Sequence, residues 1–216
     1  GDRSVSARLP RLRPVDLRLR QPALEGGARV ARGRAAAAHG VVHVLAPLAE
    51  HRAGILDGGI GNHDDMTSSA TPYRTLFVLP RDGATTAYPN NAERFYSFDY
   101  GPAHFIALDT QAAFLSAARR QEQLAWLTAD LQEAQDRPWR IAFFHRPPYS
   151  SGAEHGSDLA IRQAFGPLFE QYNVQVVLTG HEHSYDRTVP WRESSTTTRQ
   201  AVTYVISGGA GLDDFE

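Results

Sequence analysis

The run Val174-Gln175-Val176-Val177-Leu178 leads directly into Gly180-His181-Glu182-His183, and this pairing of strand and histidine motif organises the whole chain. The run is short, apolar and rich in β-branched residues, which is typical of a strand buried in a sheet. In an extended loop, side chains two positions apart point the same way, so both imidazoles would face one site and Glu182 would face away. Gly-His-x-His after a buried strand favours metal binding over a structural role.

Similar apolar segments recur along the chain and alternate with helical patterns. Phe105–Asp109 and Ile141–Phe144 each predict a buried strand, and residues 201–206 predict another. Leucines at positions i, i+3 and i+7 predict a helix over residues 117–135, and a second helix over residues 159–172 must tolerate an internal Gly-Pro pair. Strands that alternate with helices predict a layered α/β domain, in which ligands gather at the carboxyl ends of the strands.

Two further motifs place polar groups where such a site would form. Gly61-Asn62-His63-Asp64-Asp65 offers an amide oxygen, an imidazole and carboxylates, and His145 directly follows a predicted strand. His63 suits proton donation, because the neighbouring Asp64 can orient its ring and raise its pKa. Taken alone, the first motif is as often a simple turn, and a single histidine after a strand is more often structural. Their occurrence together favours a functional site.

The donor types indicate the chemistry. Asn62 offers a carbonyl oxygen, while His145, His181 and His183 offer ring nitrogens, and the absence of Cys leaves no thiolate to compete. Two metal ions held close together can clamp a phosphoryl group, activate a water and stabilise the leaving oxygen. The pattern therefore predicts a two-metal site that handles phosphate esters.

Three further polar residues have open interpretations. His155 lies on the loop after His145 and can either contact substrate or remain an exposed loop residue. Arg146 can pair with phosphate, although a surface salt bridge is the more common use of such a side chain. Asp109 ends a predicted strand and is expected to cap a loop rather than bind a metal.

Composition narrows the class of protein. The 216 residues suit one domain with ample length for a core. A net charge of -2 argues against a dedicated nucleic-acid binder, and the lack of Cys excludes disulfides and thiol nucleophiles. No run approaches a membrane span, and no charged-then-apolar signal opens the chain as given.

Residues 1–58 differ from the remainder. All 21 aromatic residues lie from Tyr73 onward, and residues 1–56 carry ten Arg against four acids. Because aromatic side chains supply much of a core's buried area, a core-building segment without any is unusual. We interpret residues 1–58 as aberrant, either disordered or translated out of frame. A targeting peptide or a basic nucleic-acid arm is an alternative for this segment.

The motifs resemble those of a known family. Gly61-Asn62-His63-Asp64, Phe144-His145-Arg146-Pro147-Pro148 and Gly180-His181-Glu182-His183-Ser184-Tyr185-Asp186-Arg187 are similar to motifs of calcineurin-like metallophosphoesterases, and most of all to bacterial relatives of purple acid phosphatases. The resemblance covers about residues 59–212. It implies a two-sheet β-sandwich flanked by helices, with a dinuclear centre whose metals can be iron, zinc or manganese.

The resemblance also implies roles for individual residues. By position, Asn62, His145 and His181 would bind one metal and His183 the other. His63 would assist proton transfer to the leaving group. The implied substrate is a small phosphate ester, and the hydrolysis would be of acid-phosphatase type.

The family's upstream motifs are harder to find. It requires an Asp on the first strand, for which Asp2 is a candidate, and a Gly-Asp whose carboxylate bridges both metals. Arg20-Gln21 stands where that Gly-Asp is expected. Permitted codons for this region, read one nucleotide later, can encode Asp-Asn, so we favour the out-of-frame interpretation for about residues 3–58. Residues 59–216 then form a metallophosphoesterase domain whose N-terminal part is incomplete.

Rival functions remain open at this stage. One is a phosphodiesterase or nucleotide hydrolase of the same superfamily, and another is a non-catalytic remnant that binds at most one metal. We expect no nucleic-acid partner and no membrane span. The resemblance favours a secreted or periplasmic protein, and the oligomeric state stays open.

Overall fold

A computed structural model describes residues 59–66, 68, 70–76, 79–81, 93–111, 116–193 and 199–208. The segment interpreted as aberrant, including Asp2 and Arg20, lies outside these residues. The described part contains helices of very different length and one sheet. The helices are α1 (Asn62–Met66), α2 (Thr71–Leu76), α3 (Ala117–Glu133) and α4 (Leu159–Gln171). The strands are β1 (Tyr96–Tyr100), β2 (Ala103–Ala107), β3 (Trp139–Phe143), β4 (Val176–Thr179), β5 (Tyr185–Arg187) and β6 (Thr203–Ser207).

The six strands form a single mixed sheet in the order β1-β2-β3-β4-β6-β5. The central strands β2, β3, β4 and β6 are parallel, whereas β1 and β5 pair antiparallel at the two edges. This arrangement confirms the α/β prediction and the four central strands expected from apolar runs. The described residues do not contain the second sheet of the expected sandwich. Nor do they contain a helix long and apolar enough to cross a membrane.

The two long helices begin and end where local chemistry predicts. Ser116 caps α3, with its side chain accepting the N–H of Arg119 at 3.2 Å. Asp158 caps α4 by accepting the N–H groups of Ala160 and Ile161, both at 3.1 Å. Such caps satisfy amides that have no partner inside the helix. Helix α4 continues through Pro167, so the Gly166-Pro167 pair does not break it.

Alternate residues of each central strand build a core on each face of the sheet. Ile106 and Phe144 pack against the leucines of α3 and the phenylalanines of α4. Phe105 and Phe143 point to the other face, where the segment around α2 covers them. A sheet with both faces covered requires apolar strands, which explains why simple apolar runs predicted them well.

A partly buried ion cluster joins β1, β2 and α3 at the end of the sheet opposite His145. His104 Nδ1 lies 2.9 Å from Asp99 Oδ1, and its Nε2 lies 2.9 Å from Asp130 Oδ2. Burial lowers the pKa of His104, but the two carboxylates outweigh burial and hold that pKa above its ordinary value. The two carboxylates therefore favour the protonated form of His104 in the folded chain.

This cluster predicts a pH dependence of stability. Because the folded-state pKa of His104 is raised, its contribution is complete below the unfolded value of about 6.5 and is lost as pH rises through the folded value. We expect His104→Gln to remove this contribution, so that the difference in unfolding free energy between parent and variant shrinks as pH rises above about 6.5. Urea unfolding at a series of pH values measures it. A difference that stays constant across pH would contradict the prediction.

Candidate metal centre

The carboxyl ends of the parallel strands β3 and β4 lie side by side, and their hydrogen bonding continues past the strands. Phe144 donates its N–H to the carbonyl of Leu178, and Gly180 donates to the carbonyl of His145, both at 3.1 Å. This backbone pairing places the first residues of the two following loops in register. His145 Nε2 consequently lies 3.0 Å from His181 Nδ1.

Helix α1 brings the third donor to the same place. Asn62 Oδ1 lies 2.6 Å from His145 Nε2, although 83 positions separate the two residues in sequence. Asp64 Oδ2 accepts the N–H of Gly61 at 3.0 Å and so caps the start of the helix. His63 is exposed on α1 and lies near enough to depress the pKa of His145 electrostatically. Its orientation by Asp64 stays a prediction.

A buried arginine fixes α1 to the sheet. Arg94 donates from Nε to Asp109 Oδ2 at 2.6 Å and from Nη2 to Asp65 Oδ1 at 2.7 Å. Asp109 is fully buried just after β2 and also accepts the N–H of Gln111 at 2.8 Å. The prediction of a structural, loop-capping Asp109 is confirmed. Sequence reasoning missed Arg94, because an isolated arginine far from any motif carries no signal of the pairing.

The loop after β4 is not extended. The prediction that His181 and His183 point the same way because they lie two apart in an extended loop was therefore made for the wrong reason. His181 has a φ of +69°, and the N–H of Glu182 bonds to the carbonyl of Gly180 at 2.9 Å. His181 is therefore the central residue of a γ-turn, a rare and strained conformation. The rings of His181 and His183 nevertheless share a neighbour. The His155 ring lies 4.0 Å from the first and 6.0 Å from the second, measured between centroids.

The residues proposed to contact substrate lie around these histidines. His155 stacks on His181 with an interplanar angle of 16° and keeps 35% of its side chain exposed. Arg146 Nη1 lies 3.6 Å from Asp158 Oδ2, so the surface salt bridge considered for it is present. His183 Nδ1 lies 3.4 Å from Glu154 Oε2. Glu154 is a second residue that no sequence signal had identified.

Burial keeps the central imidazoles neutral. Burial, as the largest cause, and the nearby His181, as the next, lower the pKa of His145 to about 3. Burial likewise lowers the pKa of His181 to about 4, with His155 as the next cause. Neutral imidazoles retain a lone pair for a metal. The buried Nδ1 of His145 has no hydrogen-bond partner among the described residues.

These donors can be tested for their fit to a metal. The 3.0 Å separation of His145 Nε2 from His181 Nδ1 matches two adjacent ligands of one ion, since bonds of about 2.1 Å at right angles place ligands about 3 Å apart. Asn62 Oδ1 lies closer to His145 Nε2, at 2.6 Å, and would have to move slightly outward to share the ion. Among the described residues, however, no group of three or more His, Asp or Glu side chains has metal-holding geometry. A second metal would need donors besides His183.

Comparison with known proteins agrees with the motifs. The family model for calcineurin-like phosphoesterases matches residues 41–185, beginning inside the segment 1–58. Acid phosphatase type 7 of Homo sapiens is 32% identical over 71% of this chain and 39% of its own length. An uncharacterized protein of Mycobacterium tuberculosis is 31% identical over 66% of this chain and 30% of its own. The chain thus spans about two fifths or less of these relatives.

A solved structure supports the same assignment. The purple acid phosphatase PPD1 from yellow lupin seeds superposes with a TM-score of 0.50 and 25% identity, over 69% of this chain and 27% of that chain. The family implies a dinuclear metal centre, with the identity of its metals left open. Because the family model covers well over half of the 216 residues, this chain belongs to the calcineurin-like phosphoesterase family.

Proposed function

We propose that this domain descends from enzymes that hydrolyse small phosphate monoesters with bound metal ions, as an acid phosphatase does, and that it keeps the ligands for that reaction. The observation that carries the proposal is the convergence of Asn62, His145 and His181 at the carboxyl ends of parallel strands. The acid phosphatase relatives support it. Since the chain spans only part of their length, the activity of the whole protein is itself part of the proposal.

In this proposal the histidine cluster holds the metals. Asn62, His145 and His181 bind one ion and His183 contributes to the second. Nitrogen and oxygen donors of this kind accept iron, zinc or manganese. A metal pair supplies positive charge to the phosphoryl oxygens and lowers the pKa of an attacking water. The depressed pKa values of the two central histidines keep the site free of competing protons near neutral pH.

The remaining predicted residues act on the substrate. His63, exposed on α1 beside Asn62, is proposed to donate a proton to the leaving oxygen, with Asp64 supporting its charge. His155 and Arg146 are proposed to bind the phosphate. Arg146 must then exchange its 3.6 Å contact with Asp158 for a phosphate oxygen. A secreted or periplasmic location and the absence of a nucleic-acid partner complete the proposal.

A second candidate function also has an observation in its favour. No carboxylate among the described residues joins the donors of the central cluster. That observation favours a remnant that keeps the fold and binds at most one metal. A phosphodiesterase or nucleotide hydrolase of the same family is the alternative among enzymes.

Metal affinity tests the ligand assignment. We expect His181→Ala to weaken binding of the first Zn²⁺ or Mn²⁺ by at least about tenfold, because it removes a donor directly. Isothermal titration of the metal-free chain measures the effect. His104→Gln is the matched control, since it removes a histidine at the other end of the sheet. Equal affinities for the parent and both variants would contradict the assignment.

Turnover tests the role of His63. In an active form of the chain, His63→Ala should lower kcat by about 10²-fold or more while leaving metal content unchanged, because the residue is assigned proton transfer rather than coordination. Aryl phosphate hydrolysis and metal analysis on the same preparation provide the two readouts. A parallel loss of bound metal would identify His63 as a ligand instead.

Stoichiometry tests the competence of the chain. A bridging carboxylate offsets the repulsion of two adjacent cations, whereas an arginine at or near that place, where the sequence has Arg20, would add positive charge. The chain as given should therefore bind at most one divalent metal tightly and hydrolyse aryl phosphates feebly or not at all. Restoring Gly-Asp by correcting the reading frame should restore both properties. Two tightly bound metals with robust turnover in the unaltered chain would show that another Asp, such as Asp2, Asp16 or Asp57, supplies the bridge.

A further inference from the structure

Glu182 is a buried acid between the two histidines of the Gly-His-Glu-His motif. Only 3% of the residue is exposed, although it lies in a loop. A carboxylate removed from water is costly unless hydrogen bonds replace its hydration. The partners of this side chain therefore indicate what it does.

Those partners are three consecutive backbone amides of another loop. Glu182 Oε1 accepts the N–H of Glu154 at 3.0 Å, while Oε2 accepts those of His155 and Gly156 at 2.8 and 2.9 Å. Gly156 has a φ of +69°. A left-handed residue at the end of such a run lets successive N–H groups converge on one anion. Residues 151–157, called here the His155 loop, thus wrap around the carboxylate.

The His155 loop has a second attachment nearby. Ser151 donates from both its backbone N–H and its hydroxyl to Asp186 Oδ2, each at 2.7 Å. These bonds are exposed to solvent, whereas the carboxylate of Glu182 is buried. Hydrogen bonds to a buried charge are stronger than exposed ones. Glu182 is accordingly the principal attachment of the middle of the loop.

This attachment determines where His155 lies. Its own N–H forms the shortest of the three bonds to Glu182, at 2.8 Å. Its ring then stacks on His181 at 4.0 Å. The carboxylate of the preceding residue, Glu154, lies 3.4 Å from His183 Nδ1. One buried side chain therefore brings two loops, and the imidazoles they carry, into contact.

We propose that Glu182 is a positioning residue, whose carboxylate fixes the His155 loop against the turn at His181 and so holds His155 on the His181 ring. Both of its oxygens accept backbone amides, so the contacts of this side chain are those of an anchor for the loop. The consequence for phosphate binding rests on the proposed function. The position of His155 can be tested without it.

Glu182→Gln tests the attachment with almost no change of volume. The amide of Gln presents an N–H group where one carboxylate oxygen accepted a bond, so at least one loop N–H would face another donor. Glu133→Gln is the matched control, because it makes the same substitution on an exposed position of α3.

The first readouts use the full chain without metal. Hydrogen exchange of the amides of residues 154–156 should accelerate about tenfold or more in Glu182→Gln, as expected for loss of a charge-assisted hydrogen bond. Modification of His155 by diethylpyrocarbonate, followed by peptide mass spectrometry, should also become several-fold faster as the ring leaves His181. Glu133→Gln should match the parent in both. Unchanged exchange and unchanged modification in folded Glu182→Gln overturn the proposal.

Gly152→Ala tests the same attachment by steric displacement of the Glu182 carboxylate. A Cβ at this position would overlap Glu182 Oε1, so the carboxylate must move while its charge is kept. We expect the same acceleration of His155 modification as in Glu182→Gln. If circular dichroism shows that Glu182→Gln does not fold, this variant decides the question. A folded Gly152→Ala chain with His155 still protected would also overturn the proposal.

A final readout links the position of His155 to the site. With Mn²⁺ bound, Glu182→Gln should bind inorganic phosphate about tenfold more weakly at unchanged metal affinity, since a loop contact and not a ligand is lost. Release of His155 with unchanged phosphate affinity would support the attachment by Glu182 and overturn the proposed contact of His155 with phosphate. If the parent binds no metal, the proposed function fails, while the exchange and modification rates still decide where Glu182 holds His155.

Discussion

The parallel pairing of β3 with β4 is the constraint on which the candidate site depends. Two hydrogen bonds continue that pairing into the loops, from Phe144 to Leu178 and from Gly180 to His145, both at 3.1 Å. Parallel strands share a direction, so their carboxyl ends meet at one edge of the sheet. Helices pack over one face of the sheet and the α2 segment over the other, so the strands are buried. His145 and His181 follow directly after these buried strands.

The burial of the histidines at this edge has an electrostatic consequence. His145 is held in a buried place and His181 in a partly buried one, and both pKa values fall well below that of free histidine. Charged imidazoles so close together would repel one another, so the arrangement is compatible only with neutral rings or with a bound cation. The strained turn at His181 and the buried Glu182 belong to the same arrangement. The positive φ of His181 and the burial of the Glu182 carboxylate are each unfavourable in free energy, and the packing around them stabilises both.

Two buried charges organise what lies around the histidines. Arg94 links Asp65 beside the Asn62 motif to Asp109 at the end of β2, and Glu182 links the turn at His181 to the His155 loop. Each pays its desolvation cost through several hydrogen bonds in defined directions. Such groups set the separation of the elements that carry Asn62, His155 and His181. Apolar packing alone, which has no directional preference, would leave that separation less defined.

The amino-acid sequence by itself determined the central strands, the two long helices and the motifs that carry Asn62, His145, His181 and His183. Each depends on local periodicity, capping or residue type. The edge strands β1 and β5 were not predicted, because each is short and mixes polar with apolar residues. Their strand conformation depends on pairing with the neighbouring strand. Only the tertiary structure decided the left-handed turn at His181, the pairing of Arg94 and the burial of Glu182. The pairing of Arg94 and the burial of Glu182 depend on contacts between residues far apart in the chain, for which spacing along the sequence carries no information. The turn at His181 is local, but nothing in the residue types predicts a positive φ for a histidine.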